Sequence, residues 1–171
     1  MIQAIIFDMD GVVADSEYLW QDAYLQQLAK RGRQEPQTEE YHTFQAVHYR
    51  GRSQHYAVQK MKEYFGLAES VDELREERIA ILLQLFDTKL KLVPGAHEAL
   101  QRLSQHYPLA LASAAPPEVI SYIVDKFKLH PFFRIIISGD DCRYSKPHPE
   151  VFLTAAGRLQ ARPEHCLVIE D

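Results

Sequence analysis

The chain has 171 residues, 46% of them hydrophobic, and carries 19 Lys+Arg against 24 Asp+Glu for a formal net charge of −5. Such a length and apolar content support a folded core and exclude a long disordered chain, and apolar runs such as Ala4-Ile5-Ile6-Phe7 fall far short of the roughly 20 residues a membrane span needs. The negative balance speaks against nucleic acid, which needs clustered positive charge. Met1 leads straight into a strand-like run without a secretory leader, and Cys142 and Cys166 form no CxxC pair, so they read as free thiols of a reducing compartment. The expectation is a cytoplasmic protein without nucleic-acid or membrane partners, a monomer or at most a weak dimer.

In chain order, Ala4 to Phe7 reads as a strand buried on both faces, the kind found in parallel sheets. Residues 16–92 then show helical periodicity throughout: 17–31 closed by Gly32, a short piece at 38–46, 53–65 closed by Gly66, and 70–90. Ser70 and Glu73 have capping-box spacing, and Leu74, Ile79, Leu82, Leu83 and Phe86 form an apolar stripe behind them. From Val93-Pro94-Gly95 onward helix and strand alternate: helix 96–106, strand 109–112, helix 116–129, strand 133–137, helix 150–159 and strand 166–169. That rhythm means βαβ units with right-handed crossovers and a parallel, Rossmann-like sheet. The predicted organisation is an α/β core made of residues 1–15 and 93–171, with an inserted helical domain at 16–92.

Ligands of open α/β sheets bind beyond the carboxyl ends of the strands. Those positions here are Asp8-Met9-Asp10-Gly11 after the first strand, Ser113-Ala114 after the second, Lys146 in the loop after the third and Glu170-Asp171 after the last. Four carboxylates on one sheet edge are costly without a cation, and hard oxygen ligands with room for water favour Mg²⁺. The site asks for a metal and an anionic substrate.

The stretch Phe7-Asp8-Met9-Asp10-Gly11-Val12-Val13-Ala14-Asp15-Ser16-Glu17 resembles the first motif of the haloacid dehalogenase-like hydrolases, most closely the phosphatase and β-phosphoglucomutase branch. Leu109 to Ala114, Ser145-Lys146-Pro147-His148-Pro149 and Cys166 to Asp171 are similar to its second, third and fourth motifs, and the helical block stands where that branch carries a cap. An Asp-x-Asp alone would be weak evidence; four motifs in order are not. The resemblance implies a Mg²⁺-dependent phosphatase for a small phosphorylated metabolite. Asp8 would be the nucleophile that forms an aspartyl-phosphate, and Asp10 the general acid and base. Ser113, Ala114 and Lys146 would hold the phosphoryl oxygens, and Asp8, the Asp10 carbonyl and Asp171 would bind the metal with Glu170 nearby.

Substrate choice would rest with the helical block, where Arg50 and Arg52 flank Gly51 and Trp20 replaces the His this branch often carries. An indole N–H donates but cannot act as a base at neutral pH, which weighs against the competing sugar-phosphate mutase reading. A catalytically silent binding module on the same fold is a further alternative, opposed by the intact Asp8, Asp10 and Lys146. Dehalogenase chemistry suits the acidic edge less well than phosphoryl transfer. In the family the fourth motif runs on into another loop and helix, so the C-terminal part of the core is expected to be missing from these 171 residues.

Overall fold

Strand β1 (Ala4–Phe7) is central, as four consecutive apolar residues predict, and none of the four is more than 5% exposed. The computed structural model describes residues 1–49 and 51–171. β1 runs parallel to β4 (Leu109–Ser113) on one side and to β6 (Cys166–Ile169) on the other, in the register Ile5 to Leu109 and Ile5 to Leu167. β5 (Phe133–Ser138) pairs in parallel outside β4, giving the order β5-β4-β1-β6. The chain thus builds outward from β1 to β5 and then returns to the far side of β1. Crossovers of one hand must change face when the direction reverses. Accordingly α6 (Pro117–Lys126), between β4 and β5, and α7 (Glu150–Arg158), between β5 and β6, pack on opposite faces.

Side-chain alternation along the strands sorts the two cores. Ile5, Phe7, Leu109 and Leu111 join Val119, Ile120, Ile123 and Val124 of α6 and Leu100 of α5 (Ala96–Leu103). Ile6, Ala110, Ala112 and Ile137 face Val151, Ala155 and Ala156 of α7. At the edge strand β6, Leu167 and Val168 are 42% and 38% exposed. Both cysteines are free, and no helix among the described residues is long and apolar enough to cross a membrane.

The helical segment comprises α1 (Glu17–Ala29), α2 (Glu39–His48), α3 (Gln54–Phe65) and α4 (Val71–Lys89). The capping box at Ser70 and Glu73 is present. Helices α1 and α4 serve two cores: Leu19, Ala23, Leu82 and Phe86 join the sheet, whereas Tyr24, Leu28 and Leu74 join Tyr41, Val58, Met61 and Leu67 in a separate cluster. A two-residue antiparallel ribbon absent from the sequence reading, β2 (Ala14–Asp15) with β3 (Lys91–Leu92), ties the start of this segment to its end.

Candidate active site at the strand tips

Because β1, β4, β5 and β6 are parallel, their carboxyl ends share one edge, and the chain direction reverses beside β1, the position at which open α/β sheets bind their ligands. Asp8 leaves β1 and is 8% exposed; Lys146, from the loop that leads into α7, is 7% exposed. Lys146 Nζ lies 2.9 Å from Asp8 Oδ2 and 2.8 Å from Glu170 Oε1, so one ammonium joins the tips of β1 and β6. The same ammonium stands 4.6 Å from the centre of the Phe152 ring, whose face favours a cation. Asp8 Oδ1 accepts the Met9 N–H at 2.8 Å. Burial pushes the Asp8 carboxyl up to about 6 despite the opposing pull of Lys146, and the nearby Asp10 adds to the rise.

Asp10 is held by three donors. Ser16 Oγ–H reaches Oδ1 at 2.5 Å, Trp20 Nε1–H reaches the same oxygen at 2.9 Å, and Ser113 Oγ–H reaches Oδ2 at 3.3 Å. Ser113 is fully buried at the tip of β4, and its hydroxyl oxygen also accepts the Ala115 N–H at 3.0 Å. Ala114, beside it, packs against Gly139 so closely that a Cβ on that glycine would stand 3.1 Å from Ala114 Cα. The side chain of Ser16, to which the sequence assigned no role, is fully buried between the first strand and α1. Its signal in the sequence is position alone: a serine just before a helix, inside the Asp15-Ser16-Glu17 stretch.

Gly11 turns the chain at φ +76°, and a Cβ there would lie 2.8 Å from Asp171 Oδ2. Only glycine allows both the left-handed turn and the approach of that carboxylate. Gly11→Ala is expected to cost about 1–2 kcal/mol from the backbone alone, read as a lower urea midpoint; an unchanged midpoint would contradict both the turn and the contact.

Lys146 pairs with two carboxylates of this edge, Asp8 and Glu170, while Asp10 is held by hydroxyl and indole donors and Asp171 lies against Gly11, so carboxylates outnumber the ammonium and supply hard oxygen donors. That donor chemistry fits Mg²⁺. No group of three His, Cys, Asp or Glu side chains able to hold a metal occurs among the described residues.

Of the residues expected to choose the substrate, Arg50 lies outside the described residues. Arg52 donates to the Lys146 carbonyl at 3.3 Å and to the Val47 carbonyl at 3.2 Å, and lies 5.6 Å from the centre of the Tyr56 ring. It thereby joins the helical segment to the loop that carries Lys146. Trp20 is committed to Asp10.

A sequence model of the haloacid dehalogenase-like hydrolases matches residues 2–171. The chain belongs to that family. This haloacid dehalogenase-like protein is 34% identical to hexitol phosphatase B of Escherichia coli K12, over 99% of its own length and 75% of the relative's. It is 30% identical to a phosphorylated carbohydrates phosphatase of Thermotoga maritima, over 99% and 76% of the two chains. Among solved structures, a β-phosphoglucomutase from Clostridium difficile matches it with a TM-score of 0.81 and 27% identity, over 100% of this chain and 77% of that one. Membership and relatives together make it a phosphoric monoester hydrolase of the haloacid dehalogenase-like type.

Proposed function

We propose that the protein is a Mg²⁺-dependent phosphatase that releases phosphate from a small phosphorylated sugar or polyol through an aspartyl-phosphate on Asp8. The observation that carries this reading is the contact of Lys146 Nζ with Asp8 Oδ2 at 2.9 Å, beside an Asp10 carboxylate already held in place. An Asp8 oxygen forms a bond to phosphorus while the bond to the leaving oxygen breaks, and Asp10 gives that oxygen a proton. Water then attacks the phosphoryl group, Asp10 takes its proton, the Asp8–phosphorus bond breaks, and inorganic phosphate leaves. Lys146 offsets the charge that gathers on the phosphoryl oxygens, with Ser113 and the main chain at Ala114 as further donors. Bound through Asp8, the Asp10 carbonyl and Asp171, with Glu170 beside them, Mg²⁺ would supply charge neutralisation and orient nucleophile and substrate.

The substrate class is supported by the sugar- and polyol-directed names of the two phosphatase relatives. Residues 16–92 act in this reading as a cap over a core of 1–15 and 93–171, with the β2–β3 ribbon as the junction. Arg52, together with Arg50, is the candidate for contacts to the rest of the substrate. A sugar-phosphate mutase is the second reading, favoured by the β-phosphoglucomutase neighbour; it is opposed by Trp20, which cannot exchange a proton with a sugar hydroxyl.

Phosphate release from p-nitrophenyl phosphate, sorbitol 6-phosphate, glucose 6-phosphate and phosphoglycolate tests the reading. Free phosphate is expected as the product, lost on chelation with EDTA and restored by Mg²⁺. Activity that survives exhaustive chelation would sink the metal assignment, and transfer of the phosphoryl group to a second sugar position would favour the mutase.

A further inference from the structure

Trp20 is the single tryptophan of the chain. It stands in the first turn of α1 and packs its ring against the main core, yet it sends its N–H to the Asp10 carboxylate. Ser16 behaves in the same way. It occupies the N-cap position of α1, where a serine hydroxyl ordinarily accepts an N–H of the first turn and contributes about 1 kcal/mol to the helix. Here it makes no cap bond, and the hydroxyl turns to Asp10 Oδ1 instead. A helix start that forgoes its own cap marks a place where local stability yields to another demand.

We propose that Trp20 is a positioning residue for Asp10: with Ser16 it engages Oδ1 and fixes the carboxylate plane, leaving Oδ2 as the oxygen that exchanges the proton with leaving group and water. The inference rests on the phosphatase reading. An oxygen that already accepts two hydrogen bonds, one from an indole that can only donate, has no room for a proton of its own. Among the described residues, Oδ2 receives its hydrogen bond from the Ser113 hydroxyl, at 3.3 Å, and a hydroxyl can turn to accept when Oδ2 is protonated. In the first half-reaction the Oδ2–H bond breaks as the proton passes to the leaving oxygen and the phosphorus–oxygen bond opens. In the second, Oδ2 takes a proton from the water whose oxygen bonds to phosphorus. Without the indole N–H, the carboxylate can rotate and exchange its two oxygens, so the productive one faces the reaction for less of the time.

Help from a general acid matters most when the leaving group is poor, and this separates positioning from mere packing. Trp20→Phe keeps an aromatic ring in the core and removes the donor together with part of the ring's volume. It is expected to lower kcat/KM, which reports the first half-reaction alone, by about tenfold or more for the fastest alkyl phosphate of the set above. With p-nitrophenyl phosphate, whose leaving group needs little protonation, kcat/KM should fall only slightly, whatever happens to the water attack that is common to both esters and enters kcat. Equal losses of kcat/KM on the two esters would overturn the proposal. A second readout needs no turnover: the one indole N–H signal in a proton–nitrogen NMR spectrum of the metal-free protein should move on Asp10→Ala, and a stationary signal would overturn it too. A wild-type protein that releases phosphate from neither ester would sink the phosphatase reading and the inference with it. An active wild type with equal losses would sink the inference alone.

Discussion

Asp8→Asn is expected to lower phosphate release from p-nitrophenyl phosphate by roughly a thousandfold or more, the scale of losing a covalent nucleophile. An amide oxygen is too weak a nucleophile to open the ester, and neither Asp10 nor Glu170 is free to take its place. Asp10 is fixed by Ser16, Trp20 and Ser113, and Glu170 is paired with Lys146. Stability should move in the opposite direction. Burial raises the Asp8 carboxyl from 3.8 to about 6, which means that the folded state disfavours its charged form. The penalty grows as pH rises through that interval and is fully present above it, of the order of 3 kcal/mol for a shift of this size. The neutral amide escapes the penalty, while Lys146 keeps Glu170 at 2.8 Å. In EDTA at pH 7.5 the variant should therefore unfold at a temperature no lower than wild type, since the rise to about 6 already counts the pull of Lys146. A variant that is inactive because it is unfolded, or one that retains wild-type rates, would each contradict the assignment.

The same conflict between stability and chemistry explains which parts of the molecule the sequence reveals. β1, β4 and the capping box are locally consistent: apolar runs lie where burial is complete, and Ser70 with Glu73 makes both reciprocal bonds. The strand tips follow from them, since parallel strands place Asp8, Ser113 and Glu170 on one edge whatever the details of packing. What stays hidden is set by partners distant in sequence. The β2–β3 ribbon has two residues per strand, too few for any periodic signal, and its halves lie far apart in the chain. Arg78 is only 4% exposed although a charged residue in a helix reads as solvent-facing. It is accommodated because its Nε–H donates to Gln27 Oε1 at 2.9 Å and its guanidinium lies 5.5 Å from the centre of the Tyr24 ring. Ser16 belongs with these: its residue type announces a helix cap, and only the fold shows that its hydroxyl goes to Asp10.

Lys146→Met should lower phosphate release by about a hundredfold to a thousandfold, as when an enzyme loses one preorganised charge donor, and unlike Asp8→Asn it should also destabilise the protein. Methionine fills similar volume over the Phe152 ring, so packing is largely kept and the change isolates the charge. Lys146 is the strongest influence holding the Asp8 carboxyl down. Without it Asp8 is either charged in a buried site without its partner or protonated and no longer nucleophilic, and both outcomes cost activity. Lys146→Arg keeps the charge but recovers little, because a planar guanidinium does not fit a slot shaped for a compact ammonium that is 7% exposed. Glu170→Gln offers the contrast. The Glu170 side chain is 43% exposed, and Lys146 retains Asp8 at 2.9 Å, so stability should change by less than about 1 kcal/mol. Steady-state rates with urea denaturation of the four proteins in EDTA decide the matter. If Lys146→Met and Glu170→Gln destabilise equally, Lys146 serves mainly as a tie to the tip of β6; the buried pair with Asp8 predicts that Lys146→Met loses far more.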